Sequence, residues 1–215
     1  MNISISHLIA GYTKGQPAIK IPHLELTHED KVVFIKGSNG SGKTSFLKVL
    51  YNGIRTIEGQ VLIDQNELNE KTRTNWLEKI GVCLHIGLSY NHLSVEENIR
   101  LVRYLYPLAP LNYQSSLFDS LNLVEISTKK ASKLSVGQRK RLDLFLAMQH
   151  MPQLVLLDEP TSNLDSENAA LIHSIIRDYS QHKNMQFIIT SNNENEISIF
   201  DTKVIKITNG EILEN

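Results

Sequence analysis

The spacing of apolar residues changes along this chain, and the changes mark out its elements. Ile3–Ala10 alternates apolar and polar positions as a strand with one dry face does, and Ile19–Leu26 does the same with Pro22 interrupting it. Lys31–Lys36 contains the unbroken run Val32-Val33-Phe34-Ile35, followed by a glycine-rich turn and then helical spacing through Phe46, Leu47, Val49 and Leu50. A strand at Gly59–Ile63, a polar stretch and a short strand at Ile80–Leu84 come next. Ser94-Val95-Glu96-Glu97 reads as a capping box opening a helix through Ile99, Leu101, Val102 and Leu105. Pro107 and Pro110 end it, and another helix is predicted from about Tyr113 to Leu123. The last third returns to alternation: a strand at Leu154–Leu157, a helix at Ser166–Tyr179, and strands at Phe187–Ile189 and Lys203–Thr208. Asn209-Gly210 then forms a two-residue hairpin turn into Glu211–Leu213. The pattern predicts an α/β fold in one domain over 1–215, with a core at 1–85 and 151–215 split by a helical subdomain at about 86–150.

Composition narrows this picture. A length of 215 residues suffices for one domain with a full core, and a net charge of −1 offers no bulk field for nucleic acid or an anionic membrane. The single cysteine, Cys83, falls in an expected buried strand and cannot form an internal disulfide, which fits a reducing compartment. The first residues, MNISISHLIAGY, lack the charged start and long apolar stretch of a signal peptide. No apolar run approaches the roughly 20 residues a membrane helix needs, so a soluble protein is expected. The remaining histidines, among them His7, His92 and His173, have no cysteines at ligand spacing and read as ordinary surface or core residues.

Chemistry enters at the turn after Ile35. Gly37-Ser38-Asn39-Gly40-Ser41-Gly42-Lys43-Thr44 satisfies G-x-x-x-x-G-K-[ST] and lies between a strand and a helix, the context a phosphate-binding loop requires. Its glycines let successive N–H groups turn inward, the helix end adds positive potential, Lys43 supplies a charge, and Thr44 offers a hydroxyl to Mg²⁺; Ser45 follows on the same turn. Leu154-Val155-Leu156-Leu157-Asp158-Glu159 is an apolar strand ending in two carboxylates. Asp158 suits a water-mediated contact to Mg²⁺, and Glu159 suits the base that orients an attacking water. Leu134-Ser135-Val136-Gly137-Gln138 opens a helix, with Ser135 and Gln138 spaced as a second capping box.

Taken together, the phosphate loop, the Leu134–Gln138 segment, the Leu154–Glu159 strand and the following Pro160-Thr161-Ser162-Asn163-Leu164-Asp165 resemble, in their order, the ATP-binding subunits of ABC transporters over essentially the whole chain. The resemblance implies the P-loop NTPase core of the ABC ATPase fold, with N-terminal antiparallel strands and an inserted helical subdomain. It further implies ATP and Mg²⁺ as ligands, hydrolysis of ATP, and a head-to-tail dimer in which Ser135, Gly137 and Gln138 meet the γ-phosphate bound to the opposite chain. Asp165 would lie at the dimer junction, Tyr12 would stack on adenine, and the chain would be cytoplasmic, held on the inner face of the cell membrane by an integral membrane subunit as its partner.

Three positions depart from that pattern. His85 stands where glutamine is usual, and imidazole is a poor ligand for a hard cation; it serves either an interface or nothing beyond its loop. Asn192 aligns with the family's switch histidine, unless the alignment slips by one onto Ser191; an amide donates a hydrogen bond but cannot become cationic. Val136 replaces glycine at a point of phosphate approach. These changes are consistent with a slow ATPase or with one half of a heterodimer. The run Tyr104–Leu111 reads either as subdomain core or as a docking groove for a membrane subunit. Related DNA-repair and chromosome ATPases carry a long coiled coil between the two motifs, whereas residues 45–133 here lack sustained heptads. A regulatory ABC module that moves no solute remains the alternative function, and the transported substance is not written in these residues.

Overall fold

The computed structural model describes residues 1–13, 16–106, 111–200 and 202–213. In chain order its elements are β1 (Ile3–Gly11), β2 (Ile19–Leu26), β3 (Val32–Lys36), α1 (Lys43–Leu50), β4 (Arg55–Ile63), β5 (Asn66–Glu67) and α2 (Arg73–Leu77). There follow β6 (Ile80–Cys83), α3 (Val95–Arg103), α4 (Leu111–Ser120), α5 (Val136–Met148), β7 (Leu154–Asp158) and α6 (Ser166–His182). The chain closes with β8 (Gln186–Ser191), α7 (Glu194–Ser198), β9 (Lys203–Thr208) and β10 (Glu211–Leu213). They gather into two compact units, one of Met1–Leu77, Leu156–Asp158 and Gln186–Asn215, the other of Glu78–Val155 and Glu159–Met185.

In the first unit the strands run in the order β5-β4-β1-β2-β10-β9-β3-β8, with the last residues of β7 beyond β8. Pairing is antiparallel among β5, β4, β1 and β2, and parallel where β3 meets β8 and β9. Burial follows pairing. The antiparallel β2 alternates between core and solvent, whereas β3 and β8 are dry on both faces, as parallel strands are. The strand β2 runs straight through Pro22 instead of breaking there. Proline lacks an N–H but fits where a strand's outer side is unpaired, and β10 pairs with β2 only at Lys20. The register of β1 on β4 shifts between Ser6 and Ala10, where His7 takes φ 49°. Gly59 faces this bulge at φ 75°, and a Cβ on it would lie 2.3 Å from the His7 carbonyl oxygen, so glycine is required there.

The C-terminal hairpin supports the phosphate loop. Asn209 and Gly210 both have positive φ, 50° and 79°, as the tight turn expected from their sequence demands. Gly210 N–H donates to the Ser41 carbonyl at 2.7 Å, and its own carbonyl accepts from Lys20 N–H at 2.6 Å. The turn therefore fastens the loop to the edge of β2.

In the second unit β6 lies beside the start of β7, joined through the Lys79 carbonyl, which accepts from Gln153 and Leu154 N–H. Cys83 ends β6 half-buried, not fully buried as its apolar neighbours led one to expect, because it is the last residue of the strand. The Ser94–Glu97 capping box forms in both directions at α3. That helix stops at Arg103, two residues before Leu105, and Tyr104 and Leu105 are 82% and 71% exposed. These two residues are therefore not core. The adjoining Pro107–Pro110 lies outside the described residues, while Tyr106 stacks on His150 with ring centres 4.2 Å apart. Among the described residues no helix is long and apolar enough to cross a membrane.

Candidate phosphate site and signature segment

In the first unit the loop after β3 begins at Gly37, where a Cβ would lie 2.5 Å from the Ile207 carbonyl oxygen of β9. Gly40 and Gly42 take φ 78° and 109°, values that L side chains rarely adopt, so the curl of the loop is built from its glycines. Helix α1 starts at Lys43 with no side chain capping its N-terminus, whereas Ser94, Ser135, Asp165 and Asn193 cap α3, α5, α6 and α7. An uncapped helix end leaves its first N–H groups and their partial positive charge for an anion. Lys43 is buried, and its ammonium donates to the Gly37 and Ser38 carbonyl oxygens at 2.9 and 3.2 Å. The cation is thus folded into the cup that its own backbone makes. Ser38, Asn39 and Ser41 complete the loop, and Ser41 N–H donates to the Ser38 carbonyl at 3.1 Å.

Asp158, 6% exposed at the end of β7, is held by two hydroxyls. Thr44 Oγ1 donates to its Oδ2 at 2.8 Å and Thr190 Oγ1 to its Oδ1 at 2.6 Å. Magnesium prefers hard oxygen donors, one or two carboxylates with the rest supplied by water and phosphate, and the Thr44–Asp158 pair fits that preference. Among the described residues no cluster of three or more His, Cys, Asp or Glu exists that would suit a metal held by protein alone.

Asn192 and Ser191 separate clearly. Ser191 is buried and its hydroxyl donates to Glu196 at 2.6 Å, while the Asn192 amide points to Asn39 Oδ1 at 3.4 Å. Asn192, not Ser191, is the residue presented to the phosphate loop. Tyr12 follows β1 with its ring exposed. Its hydroxyl lies 3.2 Å from Ser45 Oγ, and the Lys48 ammonium sits 4.7 Å from the ring centre. An open, cation-flanked aromatic face beside the loop is suited to stacking.

The second unit carries the other group of candidate residues. Ser135 caps α5, accepting from Gln138 N–H at 3.2 Å, while Gln138 Oε1 accepts from Ser135 N–H at 3.1 Å. The capping box expected from the sequence is complete. Val136 is 58% exposed at the first turn, and Gly137 is buried behind it. Glu159 takes φ 49°, an uncommon conformation for a side-chain-bearing residue. Its carbonyl oxygen accepts from Lys140 Nζ at 2.7 Å and from Ser162 Oγ at 3.0 Å, which pins the backbone there. His85 lies exposed in a turn closed by Gly87 N–H to the Leu84 carbonyl at 2.9 Å.

The sequence reading missed Asp143, Arg139 and Lys140. Asp143 is 3% exposed on α5, and its Oδ1 accepts from Leu88 and Ser89 N–H at 3.0 and 2.8 Å. Gly87 packs on the same carboxylate, where a Cβ would lie 2.7 Å from Oδ2. One turn earlier on α5, Arg139 donates to Ser89 Oγ, Asn91 Oδ1 and the Ala131 carbonyl. The loop after His85 is therefore hung on α5, the helix that opens in the Leu134–Gln138 signature segment. The one signal available in sequence was a lone aspartate in an otherwise apolar helical stretch, Leu142–Met148. Asp143→Ala leaves two shielded N–H groups unpaired and should lower unfolding stability by about 2–4 kcal/mol, with Asp143→Asn losing less. Urea titration of the two variants checks this, and equal stability of Asp143→Ala and the parent protein would refute it.

Comparison with known proteins agrees with this geometry. Residues 23–162 match the family model described as ABC transporter. The phosphonates import ATP-binding protein PhnC 1 of Ruegeria sp. (strain TM1040) is 26% identical over 226 residues, spanning 98% of this chain and 87% of that protein. The probable ABC transporter ATP-binding protein p29 of Mesomycoplasma hyorhinis is 29% identical over 215 residues, spanning 92% of this chain and 84% of the relative. Among solved structures, the dimeric form of MJ0796, a bacterial ABC transporter cassette, has the same fold, with a TM-score of 0.82 at 21% identity over 99% of this chain and 97% of that one. The family match spans more than half of the residues, so this chain is an ABC ATPase and belongs to the ABC transporter family.

Proposed function

We propose that this cassette binds Mg-ATP, pairs head to tail with a second cassette, hydrolyses ATP to ADP and phosphate, and so powers a separately encoded membrane protein. The observation that carries the nucleotide reading is the uncapped N-terminus of α1 with Lys43 turned into the loop beneath it. On binding, the Lys43 ammonium would exchange two backbone carbonyls for the β- and γ-phosphates, and the loop N–H groups would take the remaining oxygens. Thr44 and Asp158 would hold magnesium together with phosphate oxygens, supplying neutralisation of charge at the reacting phosphate. Thr190 keeps Asp158 oriented through its second oxygen. Tyr12 stacks on the adenine ring in this reading.

Glu159 is assigned as the base that orients the attacking water, and the pinning of its carbonyl by Lys140 and Ser162 fixes where its side chain starts. Ser135, Gly137 and Gln138 would meet the γ-phosphate carried by the second cassette, a copy of this chain or a sister subunit. Glu159→Gln should arrest hydrolysis and accumulate an ATP-bound dimer, read by light scattering with ATP against ADP. Near-normal turnover in that variant would remove the assigned base.

Asn192 offers the γ-phosphate an amide where a cation would serve better, so hydrolysis is expected to be slow. Asn192→His should raise steady-state turnover by roughly tenfold or more, the range over which a charge-assisted hydrogen bond improves on a neutral one. An unchanged rate would show that another step limits chemistry.

A membrane partner is supported by family membership, and Ile86, Tyr104 and Leu105 of the second unit are exposed apolar side chains that it could cover. The cassette would then work in the cytoplasm against the inner face of the cell membrane. Affinity purification from gently solubilised membranes should recover a stoichiometric polytopic protein. Recovery of soluble partners alone would favour a regulatory ATPase module over a transporter subunit.

A further inference from the structure

Asp165 caps α6, and Asn168 binds it twice over. Asn168 N–H donates to Asp165 Oδ1 at 2.8 Å, while its side-chain Nδ2 donates to Oδ1 at 3.0 Å and to Oδ2 at 2.8 Å. These bonds, the backbone one first, hold the Asp165 carboxyl below the usual carboxylate range. The carboxamide is therefore gripped on one side by a full charge, which fixes its rotamer and its plane.

The other side of the same carboxamide lies against the signature segment. A Cβ built on Gly137 would sit 2.6, 2.7 and 2.8 Å from Asn168 Cγ, Oδ1 and Nδ2. Gly137 is the second residue of α5, behind the Ser135 cap, and it is buried although Val136 beside it is exposed. No methyl group fits there while Asn168 keeps its bonds to Asp165. With Asn168 held by Asp165, a methyl group at 137 would push the start of α5 off the Asp165 turn, and removing the carboxamide would relieve that strain.

We propose that Asn168 is a positioning residue, which locks the Asp165 turn and the N-terminus of the signature helix of one chain into a single piece. In consequence, Asn168 of the same chain is by itself enough to require glycine at position 137, whatever the Gly137 backbone meets from the second cassette. The proposal rests on the reading that both segments face a second cassette when ATP is bound. Two elements held through one amide then present a preset surface, and binding at one is felt at the other.

The test uses the full chain carrying Glu159→Gln, in which ATP-driven pairing is followed by sedimentation velocity. Gly137→Ala should weaken the ATP-dependent dimer by at least about tenfold, and adding Asn168→Ala should bring it back to within about threefold of the parent. Asn168→Ala alone should leave ATP binding to the monomer unchanged and lower the Hill coefficient of ATP-driven pairing. A parent that pairs, with a Gly137→Ala defect that Asn168→Ala does not relieve, overturns the proposal, because glycine would then be needed by what approaches from the other chain. A parent that fails to pair with ATP overturns the dimer reading and the positioning role with it.

The intrachain contact is read separately by a urea double-mutant cycle on the monomer without nucleotide. Gly137→Ala should lower the unfolding midpoint in the parent and much less beside Asn168→Ala. Additive midpoints would show that Asn168 does not exclude a side chain at 137.

Discussion

The buried carboxylate of Asp158 is the constraint from which the phosphate-binding half of this cassette is built. A charge at the end of a strand that is dry on both faces is costly unless each oxygen is hydrogen-bonded, and the fold meets that requirement with hydroxyls from two other elements. Thr44 comes from the first turn of α1 and Thr190 from β8, so satisfying one side chain sets the positions of the phosphate loop's exit and of the neighbouring strand. Asn192, two residues beyond Thr190, is thereby brought to Asn39 of the loop. The C-terminal hairpin adds a second tether through Gly210 and Ser41, holding the loop from the opposite side.

The second unit solves a related problem with backbone groups in place of hydroxyls. Helix α5 begins with a closed capping box, and its Arg139, Lys140 and Asp143 then hold turns and short segments that lie outside the strands and α-helices. Lys140 holds the left-handed Glu159, Asp143 gathers two N–H groups of the loop after His85, and Arg139 reaches three acceptors around it. A side chain four residues further along a helix lies on the same face, so Arg139 and Asp143 act on one loop together. The signature helix is consequently the scaffold for the polar chemistry of its unit as well as a candidate contact for nucleotide.

Of the three departures from the family's usual residues, Val136 lies at the start of α5, and the other two would, in the proposed function, stand near the reacting phosphate. An amide at 192 and an imidazole at 85 stand in for groups with different charge and metal preference, while the phosphate loop, Asp158 and Glu159 are intact. Under the proposed function, such a distribution would spare the binding of nucleotide and weaken assistance to bond cleavage. Energy coupling that depends on ATP-driven pairing is compatible with it, since pairing requires binding before it requires turnover.

The sequence by itself determined every feature that depends on local chemistry. Glycines at 40 and 42, the capping residues Ser94, Ser135 and their partners, the Asn209-Gly210 turn and the apolar strands were legible because each conformation is dictated by residues within a few positions of it. Pro22 and the end of α3 were misread for the complementary reason: whether a proline is tolerated depends on what lies across the sheet, and where a helix stops depends on what its last turn can bury. Tertiary structure alone decided that Asn192 rather than Ser191 faces the loop, that Asp143 is a clamp, and that Gly137 lies against Asn168. Those relations join residues from about 30 to more than 150 positions apart in sequence, and no periodicity encodes them. They exist only once packing has excluded water and left a specific donor facing a specific acceptor.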